Sequence, residues 1–72
     1  MTLRFNVFGR RMSVSRIGAQ WQLFIDSDTG NRARVYDVVI PPELEEYELA
    51  RYLDDIYHEL SSEVYPRVTQ VD

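Results

Sequence analysis

Apolar and polar residues alternate along the first forty positions and then change to a helical spacing. Leu3, Phe5 and Val7 alternate with Arg4 and Asn6, the pattern of a strand with one face buried. After Gly9 the parity reverses, with Met12 and Val14 apolar and Ser13 and Ser15 polar. One extra residue near Gly9-Arg10, a β-bulge, would produce that reversal. Residues 3–16 therefore read as one bent strand or two short ones. Gly18-Ala19 suits a two-residue type II′ turn, with Gly at the first central position. With a strand over residues 20–26, that turn pairs Met12 with Ile25, Val14 with Leu23 and Arg16 with Trp21 on one face. Ser13 then meets Phe24, and Ser15 meets Gln22, on the other. Arg16 over Trp21 is an expected cation–π pair.

The stretch Asp26-Ser27-Asp28-Thr29-Gly30-Asn31 is a turn cluster, and a third strand is expected over residues 32–40. Its even positions, Tyr36, Val38 and Ile40, are expected to face the core, because the odd set would bury Asp37 without a partner. Pro41-Pro42 ends the strand. Glu43, Glu45, Glu46 and Glu48 crowd a place where a helix N-terminus favours negative charge. Leu49, Leu53, Ile56, Leu60 and Val64 then form one apolar stripe, which predicts a helix over about residues 45–63, ending before Pro66. The tail, residues 65–72, either docks through Val68 and Val71 or frays. The expected fold class is α+β: a three- or four-strand antiparallel meander with one C-terminal helix packed on one face.

Length and composition bound this further. The chain has 72 residues, so a single small domain over residues 1–72 is expected. A chain of this size buries roughly 60% of its unfolded surface, which makes a thin core. With 44% hydrophobic residues, five Tyr, three Phe and one Trp, it can still supply one. No Cys is present, which removes disulfides and thiol chemistry. No apolar run approaches the roughly 20 residues of a membrane span, and no signal-peptide pattern opens the chain. A soluble, cytoplasmic protein is expected. Charge is unevenly placed: residues 1–36 carry +4, residues 37–72 carry −8, and every basic residue is Arg.

The segments Phe5-Asn6-Val7-Phe8-Gly9-Arg10, Arg34-Val35-Tyr36-Asp37-Val38-Val39-Ile40-Pro41 and Tyr52-Leu53-Asp54-Asp55-Ile56-Tyr57-His58-Glu59 carry a resemblance. The chain resembles a group of short bacterial proteins of unknown function. That resemblance implies a bacterial source and a freestanding small protein, and it assigns no activity to any residue.

Three clusters invite chemistry. In the helix, Asp54, Asp55 and His58 stand at i,i+4 and i,i+3 spacing, which makes a carboxylate–imidazole pair available. The helical wheel puts them, with Arg51, opposite the apolar stripe, so a solvated face with Arg51–Asp55 and Asp54–His58 pairs is the expected reading. The run Asp26-x-Asp28-x-Gly30-Asn31, with Asp37 twelfth, echoes a calcium loop. Gly and the fifth ligand are in the wrong order for one, and Arg32 and Arg34 intrude. A hairpin loop closed by Asp side chains is expected instead. The third cluster sets Arg10, Arg11, Arg32 and Arg34 near Phe8, Phe24 and Tyr36, and exposed aromatics beside Arg are the footprint of an interaction surface. Single-strand nucleic acid would also use such a set, but the acidic net charge opposes it. Catalysis finds no support, because no nucleophile motif or phosphate-binding Gly loop occurs.

The sequence therefore predicts a protein without catalytic residues, metal or cofactor. Its expected role is a protein-interaction or accessory module, with Phe8, Arg10, Arg11, Phe24, Arg32 and Arg34 as the surface. A monomer or weak homodimer with a different protein as tight partner is expected, and no membrane contact. A nucleic-acid-binding accessory protein using the Arg-bearing sheet is the alternative.

Overall fold

The computed structural model describes residues 2–27 and 29–71. Five strands form one antiparallel sheet: β1 Thr2–Val7, β2 Arg10–Ile17, β3 Gln20–Asp26, β4 Arg32–Val35 and β5 Thr69–Val71. Their spatial order is β4-β3-β2-β1-β5, so the tail returns to pair with the first strand. The single helix, α1 (Leu49–Tyr57), lies between 3-10 turns at Glu46–Glu48 and His58–Leu60. The fold is α+β, with five strands where three or four were expected.

The parity reversal near Gly9 has a simpler cause than a bulge. Val7 pairs with Arg10, and Phe8 and Gly9 between them take φ of +52° and +92°. Positive φ at both central residues is the requirement of a type I′ hairpin turn. The chain doubles back there, so Phe5 pairs with Met12 and odd positions of β1 share a face with even positions of β2. The next hairpin follows the expected register pair by pair, from Met12↔Ile25 to Arg16↔Trp21. Gly18 has φ +60°, as the first central residue of a type II′ turn must.

Among the described residues, Ser27 closes the loop between β3 and β4, and the expected part of Asp28 lies outside them. The Ser27 N–H donates to the Asn31 carbonyl at 2.9 Å, and its hydroxyl accepts the Asn31 N–H at 3.1 Å. Leu23 then pairs with Val35, which puts the odd positions of β4 on the core side and corrects the expected even set. Asp37 escapes burial because the strand stops before it. Tyr36 is exposed, while Val38 and Ile40 still turn inward from an irregular strap that follows. That strap is held from three sides. Arg16 Nη1 donates to the Pro42 carbonyl (2.9 Å), Trp21 Nε1 to Leu44 (3.0 Å) and the Tyr52 hydroxyl to Val39 (2.9 Å).

The core lies between one sheet face and the helix. Phe5, Val7, Met12, Val14, Trp21 and Leu23 from the strands meet Ile40, Leu49, Leu53 and Val68. The apolar stripe is buried only in its first half: Leu49 and Leu53 are fully covered, Ile56 is half-buried, and Leu60 and Val64 are exposed. Regular helix ends at Tyr57, so Val64 lies beyond it. The total accessible surface, 5094 Å², exceeds the about 4,600 Å² of an average compact chain of this mass. A sheet with one face uncovered by any helix accounts for the excess.

Candidate functional site

Strand registers decide what the helix-free face carries. Thr2, Arg4 and Asn6 of β1 lie beside Ser15, Ser13 and Arg11 of β2. Those neighbour Gln22, Phe24 and Asp26 of β3, and Phe24 and Asp26 face Arg34 and Arg32 of β4. Four guanidines therefore share a face whose only acid among the described strand residues is Asp26. Although no helix covers it, Ser13 is 1% exposed and Ser15 7%. Long Arg stems roof short serines, as amphipathic side chains do on a flat surface.

Arg32 is held by three neighbours. Its guanidinium lies 3.9 Å from the centroid of the Phe24 ring. Its Nη2 donates to Ser15 Oγ at 3.2 Å, and its Nε is 3.6 Å from Asp26 Oδ1. Ser15 is also hydrogen-bonded to Thr2 through their hydroxyls at 3.0 Å, and Ser13 donates to Asp26 Oδ1 at 3.0 Å. A cleft of about 410 Å³ opens over this network, lined by Arg4, Arg11, Arg32, Ser13, Asp26 and Val71 among others. Guanidinium charge and N–H donors on this wall are the chemistry that complements anionic, planar groups such as carboxylates.

Of the surface expected from sequence, Arg11, Phe24, Arg32 and Arg34 share this face, and Arg11 and Arg32 line the cleft. Phe8 does not: it is 8% exposed and belongs to the core, because its positive φ folds the ring inward at the turn. Arg10 falls on the opposite side of β2, beside Tyr57 and Asp37. There burial and the Asp37 charge raise the Tyr57 pKa above its ordinary value, with Arg10 opposing them. Arg4 was missed, although its alternation with Leu3 and Phe5 already placed it on this face.

The helix cluster separates into different roles. Asp54 is half-buried; its Oδ2 accepts the Val68 N–H at 3.1 Å and its Oδ1 lies 3.5 Å from His58 Nδ1. This corrects the expectation of a wholly solvated face, because the docked tail covers Asp54. Asp55 and His58 are exposed, and among the described residues no Arg51–Asp55 ion pair forms. Among the described residues no three His, Asp or Glu side chains gather as metal ligands. In the calcium-loop echo, Asp28 lies outside the described residues, and Asp26 is committed to Ser13 and Arg32.

A family model described as a domain of unknown function (DUF7661) matches residues 2–72. The chain belongs to the DUF7661 family. No curated protein and no solved structure matches it. In this DUF7661 domain no described helix is long and apolar enough to cross a membrane. The family gives no chemistry of its own, so the Arg face is the feature from which function has to be argued.

Proposed function

We propose that this DUF7661 chain is a non-enzymatic protein-binding module whose working surface is the helix-free sheet face, and whose partner presents carboxylates to it. The observation that carries this reading is Arg32, oriented before binding by Phe24, Ser15 and Asp26. A side chain already immobilised loses little freedom when a ligand arrives. Three further guanidines share its face, and the strongly acidic helix layer lies on the other side of the sheet. A bacterial, cytoplasmic setting belongs to the same reading.

Nucleic acid fits this face less well. Of the aromatics that point to it, Phe8 is buried in the core, and the Phe24 and Tyr36 rings are already engaged by Arg32 and Arg34, while the acidic net charge opposes a polyanion. Self-association through the face is weak in this reading. With Phe8 in the core, Phe24 alone offers about 1.5–3 kcal/mol of apolar burial, against roughly 4–15 kcal/mol for lost translational and rotational freedom.

The test is a chemical-shift titration of the isotope-labelled protein with poly-L-glutamate and, separately, with a short oligo-dT. Shifts at β1 to β4 amides on addition of poly-L-glutamate, lost in Arg4→Glu, are expected. Shifts confined to α1, or none at all, would overturn the reading. Sedimentation over a concentration series should give a monomer or a weak dimer at micromolar protein.

A further inference from the structure

The far edge of the sheet, β4, carries a more specific arrangement. It is last in the strand order, so half of its backbone N–H and C=O groups point away from β3. Along its four residues, Arg32 and Arg34 project to the helix-free side, while Ala33 and Val35 project to the core side. Arg32, Ala33 and Arg34 are exposed. The Arg34 guanidinium lies at the edge itself, 4.9 Å from the Tyr36 ring centroid, and Tyr36 is 76% exposed.

We infer that β4 is a docking edge for an extended segment of a partner protein in which acidic and apolar residues alternate. The inference rests on the proposed function and names the form its partner takes. A strand added to β4 completes the open row of backbone hydrogen bonds, the mode known as strand addition. Its side chains alternate with a period of two, as those of β4 do. One set therefore faces Arg32 and Arg34, and the other faces Ala33, Val35 and the hollow formed with Tyr36, Val38 and Val39. Carboxylates suit the first set and small apolar groups the second.

The same pattern excludes the obvious competitor. A second copy pairing β4 with β4, with its helix on the same side, sets Arg opposite Arg, and like charges directly opposite are destabilising. Charged residues on an edge are how natural sheets refuse indiscriminate pairing. Here that refusal leaves a complementary acidic strand as the admissible partner.

The experiment uses the full chain and a short blocked peptide in which Glu and Val alternate, followed by fluorescence anisotropy and by amide shifts. Three comparisons accompany it: the same peptide N-methylated along one edge or along the other, its Lys–Val counterpart, and oligo-dT. Binding of the Glu–Val peptide with shifts along Arg32–Val35 is expected. N-methylation on the ladder edge should abolish it. Arg34→Glu, checked for folding by circular dichroism, should weaken it about tenfold or more, because an attractive cross-strand charge pair becomes a repulsive one. The same variant should come to prefer the Lys–Val peptide. If peptides methylated on either edge bind as well as the parent, or oligo-dT binds more tightly, strand addition or its peptide partner is refuted while an anion-binding Arg face survives. If nothing binds in an Arg-dependent way, both readings fall.

Discussion

Asp54 on the helix holds the backbone of Val68, its Oδ2 accepting the Val68 N–H at 3.1 Å. One carboxylate thereby joins α1 to the segment that leads into β5, and Val68 itself is 7% exposed. Asp54→Ala should cost about 1–2 kcal/mol, since hydrogen bonds to charged groups contribute more than neutral ones. Asp55→Ala, on the exposed side of the same helix, should stay within about 0.5 kcal/mol. Urea denaturation separates the two, and hydrogen exchange at the Val68 amide should accelerate only in the first.

Leu53 is fully buried at the centre of the helix–sheet contact. Truncating a buried Leu to Ala typically costs about 2–5 kcal/mol, and a domain this small holds about 3–5 kcal/mol in all. Leu53→Ala should therefore be largely unfolded at room temperature, while Val64→Ala should melt like the parent. A Leu53→Ala protein with an unshifted melting curve would contradict the helix placement.

Asp26 has a structural duty and an electrostatic one that oppose each other. Asp26→Ala leaves the Ser13 hydroxyl, in a residue 1% exposed, without its acceptor. That should cost about 1–2 kcal/mol, and the double variant Ser13→Ala/Asp26→Ala should recover part of it. With Phe24 and Ser15 still holding Arg32, removing the competing carboxylate should at the same time tighten binding of the Glu–Val peptide. Stability and affinity moving together would argue against the proposed site.

Tyr57 supplies a pH dependence. Burial, then the Asp37 charge, raise its pKa above 10.0 in the folded protein. The unfolded chain therefore loses the phenolic proton first. The associated stability is complete below pH 10.0 and disappears as pH rises through the folded value. Tyr57→Phe should flatten the alkaline fall in stability, and Asp37→Asn should lower the Tyr57 midpoint in an ultraviolet titration.

Legibility in the sequence followed the locality of the cause. The β2–β3 register could be read pair by pair because strict alternation and a Gly-first turn agree on one alignment. The β1–β2 turn was hidden because it places Phe8, a bulky residue, at positive φ, which turn statistics reserve for Gly, Asn and Asp. Loss of Phe8 from the expected surface has the same origin. β5 was not counted as a strand because its three residues owe their conformation to β1, far away in sequence. On the candidate face, alternation set Arg11 apart from Met12 and Phe24 from Leu23. The even core set expected after residue 32 would have turned Arg32 and Arg34 inward, and Arg10 was grouped with them although it falls on the opposite side. What alternation could not give is the clamp on Arg32, which depends on Ser15 and Asp26 from two other strands.

The strap after β4 carries a kinetic meaning. Its three clasps come from β2, β3 and α1, so all of them can close only after the hairpin has formed and the helix has docked. Each clasp occupies a carbonyl and leaves the neighbouring amide protons unshielded by any ladder. Ordering of the strap is therefore a late event on the folding route, and its amides should exchange with solvent ahead of the strands. The connection that closes the core should thus also open before the sheet does.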